Sequence, residues 1–306
     1  MNLEGIHHIT AITGDAPRNV DFYTRVLGLR LVKKSVNQDD PTVYHLFYAD
    51  EVGSAGSDLT FFEYPGARPG RAGAGMVHQI VWRLGSDEAL EFWADRLSSE
   101  GVAVERDAGA LRFSDPEGMS YELRVVETDD EPLIAEHPEI PSELALQGFD
   151  GVRAYAVQPE ASRRFLEEAL IFEPNDNGWQ VRGEQRRGWY AYDESPPERG
   201  VGGAGTVHHV AWASTMDDHE AWRERVERAG ARPTPVIDRF YFRSIYFREP
   251  SGVLFEIATL GPGFTADEPL ETLGERLSLP PNFEHLRDRL AGVLTPLPET
   301  RAWARR

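Results

Sequence analysis

The sequence predicts an α+β fold assembled from four related units, each reading strand, helix, then two or three further strands. Three observations carry that expectation. "GMVHQIVW" (Gly75 to Trp82) aligns with "GTVHHVAW" (Gly205 to Trp212), and each precedes an amphipathic helix, "DEALEFWADRLSSEG" and "DDHEAWRERVERAGA". "FSDPEGMSYELRVV" then matches "FREPSGVLFEIATL", each an acidic-Pro-x-Gly turn running into a strand that carries a glutamate. A weaker correspondence links "LEGIHHITAIT" with "FDGVRAYAVQ", again followed by helix-like stretches, "NVDFYTRVLGL" and "ASRRFLEEALI". Self-similarity of this kind fixes architecture more firmly than local propensity does.

The units run A, B, A′, B′ along the chain. This divides it into an N-terminal pair over 1–130, a C-terminal pair over 147–262 and a tail over 263–306. The acidic, proline-bearing "ETDDEPLIAEHPEIPSE" between the pairs reads as a surface linker. In the tail, "LPPNFEHLRDRLAGVLTPLP" predicts a short helix between prolines, which covers a sheet edge or meets a second copy of the chain in a homo-oligomer.

Composition narrows the chemistry. A formal charge of −19 argues against a nucleic-acid partner, because phosphate binding needs a basic surface. No apolar run approaches the roughly 18 residues of a membrane span, and the N-terminus does not resemble a signal peptide, so a cytoplasmic protein is expected. With no cysteine among 306 residues, a metal must bind through imidazole and carboxylate. Lys33 and Lys34 are the only lysines, a skew that fits a salt-adapted source and ordinary codon bias equally well.

Two tandem histidine pairs, His7-His8 and His208-His209, sit inside apolar runs that read as strands. Side chains alternate along a strand, so one histidine of each pair is expected on the concave face and its neighbour beneath or at the edge. The repeats supply an internal control. His209 falls opposite Gln79, His208 opposite His78 and Glu256 opposite Glu122, while the weaker match sets His8 against Ala154 and His7 against Arg153. One set reads His8, His209, Glu256 and the other Ala154, Gln79, Glu122. Only the first can hold a metal. Two imidazoles and a carboxylate form a facial triad with open positions, an arrangement suited to Fe(II) that binds substrate and oxygen together. Any one of these histidines alone reads as a core residue, and an ion pair with Arg153 is an alternative for either glutamate. The joint pattern favours the metal.

These residues carry a family resemblance. "GIHHIT", "VHHVAW", "YHLFYADEVGSAGSDLTFF", "DRFYFRSIYFREPSGVLFEIAT" and "GPGFTADEP" resemble the ring-cleaving dioxygenases of the vicinal-oxygen-chelate (glyoxalase and bleomycin-resistance) superfamily, specifically the hydroquinone-opening branch. The resemblance covers essentially the whole chain. It implies βαβββ modules paired into two open barrel-like sheets, with the metal between the first and fourth modules. It implies His8, His209 and Glu256 as ligands of Fe(II), Mn(II) accepting the same set. It also implies His7, Arg239 and Tyr246 around the open metal face, acting on a small aromatic substrate and O₂. A phenolic proton must leave as the ring binds, and His7 or His208 suits that base role. Arg239 would stabilise developing negative charge and Tyr246 would donate a hydrogen bond. Without the resemblance, Tyr246 reads as a strand position and Arg239 as a partner of Asp238 or a nearby glutamate.

Two other readings stay open. A glyoxalase-like isomerase needs a second glutamate, for which Glu63 is the position to ask about; alternation and a nearby turn place it at the surface. A non-catalytic small-molecule-binding resistance protein would lack the metal. His45 reads as core packing, with lining of the pocket opposite the metal as the alternative.

Overall fold

The computed structural model describes residues 1–107 and 109–301. The four expected units are four βαβββ modules. Module one holds β1 (Ile6–Thr13), α1 (Ala16–Asp21), β2 (Arg30–Val36), β3 (Tyr44–Ala49) and β4 (Asp58–Glu63). Module two holds β5 (Met76–Leu84), α2 (Asp87–Ser99), β6 (Glu105–Asp107), β7 (Ala110–Ser114) and β8 (Ser120–Val125). Module three holds β9 (Phe149–Ala156), α3 (Glu160–Arg164), β10 (Glu173–Asn175), β11 (Gly178–Arg182) and β12 (Arg187–Glu194). Module four holds β13 (Thr206–Ser214), α4 (His219–Arg228), β14 (Ile237–Asp238), β15 (Arg243–Arg248) and β16 (Leu254–Thr259).

These strands form two eight-stranded mixed sheets, ordered β14-β15-β16-β13-β1-β4-β3-β2 and β10-β11-β12-β9-β5-β8-β7-β6. The first joins modules one and four through antiparallel β1 and β13; the second joins modules two and three through β5 and β9. Each sheet therefore takes one module from each half of the chain. The helices cover the sheets with apolar stripes. In α2, Ala89, Leu90, Trp93, Ala94 and Leu97 recur at helical spacing and are buried, while Ser86 caps the first turn by accepting from the Ala89 N–H. Trp82, Trp93, Trp212 and Trp222 are fully buried.

Each module opens on a glycine in the left-handed region: Gly5 (φ +83°), Gly75 (+78°), Gly148 (+87°) and Gly205 (+77°). This corrects the register of the weaker repeat. The sequence match set Gly5 against Gly151, a local "G-hydrophobic" likeness, whereas the module start is Gly148. Ile6 pairs with Trp212 and Phe149 pairs with Trp82, so His8 corresponds to Gly151 and His7 to Asp150, not to Ala154 and Arg153. The pairings of His209 with Gln79 and Glu256 with Glu122 hold, since Ala211 opposes Glu256 as Val81 opposes Glu122.

Two peripheral expectations meet different outcomes. The tail covers an edge: Leu277 bridges to Lys34 on β2, the Ser278 N–H donates to the Lys34 carbonyl (2.8 Å), and a short helix follows over 281–290. Residues 302–306 of that tail lie outside the described residues. The linker is more than a surface strand. Asp130 accepts from Arg83 and from the Arg187 N–H, and the buried Ile140 side chain approaches Gly28. Among the described residues no helix is long and apolar enough to cross a membrane.

Candidate metal centre and substrate cavity

The tandem pairs owe their arrangement to β-bulges. Along β1 the register advances from Ile6–Trp212 to His8–Ala211, leaving His7 as an extra residue; along β13 it passes from Thr10–His209 to Ala11–Val207, leaving His208 as the extra residue. A bulge re-aims a side chain that strict alternation would send to the opposite face. The bulges also keep the two rings of each pair within reach of one another, which alternation alone does not provide. His7 and His8 meet through their Nδ1 atoms at 2.9 Å, and His208 and His209 do the same at 2.8 Å.

Three strands bring His8, His209 and Glu256 together. His8 Nε2 lies 3.3 Å from His209 Nε2, and Glu256 Oε2 lies 3.1 Å from the first and 2.9 Å from the second. Ligand atoms each about 2.1 Å from one divalent ion, at right angles to one another, are about 3.0 Å apart. Both Glu256 oxygens are sealed from solvent without a well-formed hydrogen bond, a costly state for a carboxylate unless a cation meets it. Burial alone would raise the Glu256 carboxyl, but His8 and His209 hold it well below the usual range. The donor set fits a divalent metal.

The outer histidines fix the tautomers of the inner ones. If His8 and His209 turn Nε2 lone pairs toward the metal, each carries its proton on Nδ1 and donates it to the neighbouring Nδ1. His7 then donates from Nε2 to the Thr259 carbonyl at 3.1 Å. Burial, reinforced by the His8 imidazole, lowers His7 to about 3; partial burial of the His208 ring, with the His209 imidazole beside it, lowers that one to about 4, so both are neutral acceptors near pH 7. His7 is buried and His208 exposed, and neither lines the cavity.

That cavity is bounded by His8, His209, Tyr246, Arg239, Phe47 and Phe62, among others, and encloses about 30 Å³, room for one or two waters. Arg239 reaches Tyr246 Oη at 3.4 Å and forms a forked pair with Asp39 (3.1 and 2.9 Å), not with Asp238 or a glutamate. Gln38 donates to the Arg239 carbonyl at 2.7 Å, so residues 38–39 and Arg239 close one wall together.

Several residues stand elsewhere than expected. His45 is no core residue: it lines the cavity between Phe47 and Phe62, ring centroids 3.9 and 4.4 Å away. Glu63 is buried, accepting from the Ala16 N–H and from Thr295, and it joins no metal-binding group among the described residues. Glu122 is paired with Arg112 at 3.0 Å, and Arg153 with Asp193, so the Glu122–Arg153 pair does not form. Asp58 escaped the sequence reading. It opposes His8 across β1 and β4, both its oxygens are sealed without partners, and burial pushes its carboxyl up to about 8. Alternation groups Asp58, Thr60 and Phe62 on one face; only the register with β1 connects that face to His8.

Residues 5–123 and 148–257 match the profile of the Glyoxalase/Bleomycin resistance protein/Dioxygenase superfamily. The "Putative ring-cleaving dioxygenase MhqA" of Bacillus subtilis (strain 168) is 40% identical over 321 aligned positions, covering 97% of this chain and 100% of that protein. The "Chlorohydroquinone/hydroquinone 1,2-dioxygenase" of Sphingobium indicum is 33% identical, covering 94% and 95%. A crystal structure of a "putative dioxygenase" from B. subtilis superposes with a TM-score of 0.91 at 38% identity, covering 98% of this chain and 99% of that one.

Proposed function

Because the chain belongs to the Glyoxalase/Bleomycin resistance protein/Dioxygenase superfamily, we propose that it is an Fe(II)-dependent ring-cleaving dioxygenase acting with O₂ on a hydroquinone-like or catechol-like ring. The observation that carries this reading is the convergence of His8, His209 and Glu256 at the wall of an aromatic-lined cavity. The names of the relatives from B. subtilis and S. indicum support the ring-cleaving class.

Divalent iron held by His8, His209 and Glu256 would supply the site at which dioxygen and a deprotonated ring hydroxyl come together. The remaining work falls to the chain's own residues. His7 and His208 hold the two ligand imidazoles in orientation and tautomer, a positioning role that leaves their ring nitrogens outside the cavity. Arg239 places a permanent positive charge at the cavity wall, where it stabilises a phenolate and the negative charge that grows as the ring opens. Tyr246 accepts from Arg239, leaving its hydroxyl proton free to donate into the cavity. Phe47 and Phe62 offer flat apolar surface to the ring and exclude water.

The isomerase reading ranks second, because Glu63 is tied to Ala16 and Thr295 instead of reaching the cluster. Oxygen uptake after anaerobic Fe(II) reconstitution tests the choice, with hydroquinone and catechol offered separately to wild type, His209→Ala and Tyr246→Phe. Stoichiometric uptake with a ring-opened product, lost in His209→Ala and reduced about tenfold to a hundredfold in Tyr246→Phe, is expected. Metal binding without oxygen consumption on any ring would move the isomerase reading forward.

A further inference from the structure

The Trp189 indole fills the second sheet at the place that matches His8, and beside it a cavity stays open. The first sheet is closed at the corresponding point. There Ala258 on β16 belongs to a buried apolar cluster with Phe242 and with Phe264 and Leu273 of the tail. Ser244 opposes Ala258 as Ala110 opposes Arg124, two residues along from the Tyr246–Glu256 and Arg112–Glu122 pairs. An arginine thus stands where the first sheet has an alanine packed with the tail. Among the described residues no part of the tail lines the second cavity. Its space of about 340 Å³ falls in the range of small-molecule sites and is bounded by Trp189, Arg153, Arg112, Arg124, Asn175 and Asn177, among others.

We propose that this cavity binds a small aromatic carboxylate, its ring on the Trp189 indole and its carboxylate on the Arg124 guanidinium, at a site separate from the His8, His209 and Glu256 cluster. The proposal does not depend on the ring-cleaving reading above.

The sign of the ligand follows from which cations are already engaged. Arg112 pairs with Glu122 and with Asp107, each at 3.0 Å, and Arg153 forks onto Asp193 at 2.8 and 3.0 Å. Arg124 makes no side-chain hydrogen bond among the described residues and stands 3.9 Å from Glu122 Oε1, too far for one. A guanidinium is therefore left over at the cavity of a protein whose net charge is −19. Its fork matches a carboxylate through two parallel bonds. Glu122 and Asp150 also line the cavity, and they repel a dianion such as phosphate more than a monoanion. The ring follows from Trp189. Its N–H is held by Asp150 at 2.6 Å and its indole covers Gly151, so its plane is set before anything binds. A flat ring laid against it gains contact at little cost in ordering.

The test is calorimetric titration of benzoate, benzamide, acetate and inorganic phosphate, under anaerobic conditions, into the Fe(II)-loaded wild type and into Arg124→Gln, Arg124→Lys and His209→Ala offered the same iron. The Arg124 side chain is 44% exposed, so its replacement leaves the core intact. Benzoate is expected to bind His209→Ala within about twofold of its wild-type affinity, as distant sites do not couple. Arg124→Gln should weaken benzoate about tenfold to a hundredfold, the worth of a charge-assisted hydrogen bond, and Arg124→Lys should recover part of that loss. Benzamide lacks the charge and acetate the ring, and each should bind about tenfold more weakly than benzoate. Benzoate binding that survives Arg124→Gln unchanged, or that His209→Ala abolishes, would overturn the site, the second result placing the ligand at the metal cluster. Phosphate binding as tight as benzoate, or no benzoate binding at all, would overturn an aromatic carboxylate as the occupant.

Discussion

The two sheets share strand order, opening glycines and even bulges, yet they hold opposite chemistry. His7 and His208 are the extra residues of the first sheet's central pair, and Asp150 and His78 are the extra residues at the matching places in the second. Beyond that the contents diverge. Where His8 stands in the first sheet, the second has Gly151, whose Cα is covered by the Trp189 indole; Trp189 itself occupies the strand position that Asp58 holds opposite His8. Tyr246 opposes Glu256, whereas Arg112 opposes Glu122 and binds it at 3.0 Å. The fold delivers a buried glutamate to both concave faces, and the neighbours decide what neutralises it. In the second sheet that is a guanidinium. In the first, the nearest partners are the His8 and His209 imidazoles, which as metal ligands would be neutral and leave the role to a cation.

The sharpest way to break this comparison is to remove each glutamate in turn and count bound metal. Glu256→Gln should lose more than about a hundredfold in Fe(II) affinity, beyond the roughly 10–100-fold typical of an outer-sphere partner, while Glu122→Gln keeps the wild-type stoichiometry. Equal loss in both would erase the distinction between the sheets. Next in size is His7→Leu, which deprives His8 of its Nδ1 acceptor. Competition against a chelator should show a loss within about 10–100-fold, larger than for His208→Leu, because exposed His208 can be replaced by water and buried His7 cannot.

The first site was legible in the sequence because the repeats compared themselves. His209 against Gln79 exposed a ligand position, and the wrong register for His8 did no damage, since neither Ala154 nor Gly151 can bind a metal. What the sequence hid depends on contacts between distant segments. Nothing local states that Asp58 pairs with His8, that Thr10 and Thr60 touch, or which face of β3 turns His45 to the cavity. Glu63 looked like a surface turn residue because the tail that buries it, at Thr295, lies 232 positions away. Bulges were invisible too, so alternation separated two histidines that the bulge keeps together.

Smaller effects sharpen the second sheet's role as a filled counterpart. Gly151 has no room for a side chain, because a Cβ there would overlap the Trp189 ring, and that indole is fixed by donation to Asp150 at 2.6 Å. Gly151→Ala should therefore cost about 1–3 kcal/mol in urea unfolding, with Fe(II) stoichiometry unchanged. A neutral outcome would mean that Trp189 yields easily and the second face is not rigidly filled.

Smallest is the contribution of Asp193, which binds Arg153 through both oxygens and His78 at 2.8 Å, while His78 stacks on Tyr155. Burial pushes this carboxyl up, but Arg153 and then His78 outweigh it and set it below its ordinary value. A depressed folded-state pKa stabilises the protein above the unfolded value of about 3.9, and that stability is lost as pH falls through the folded one. With a side chain 31% exposed, solvent screening limits the effect to about 1 kcal/mol. The difference in unfolding free energy between wild type and Asp193→Asn should be near that figure at pH 7 and shrink steadily from pH 4 toward pH 3. A difference that stayed constant over that interval would assign the stabilisation to packing of the His78–Tyr155 stack, and the second sheet would then be filled by shape and not by charge.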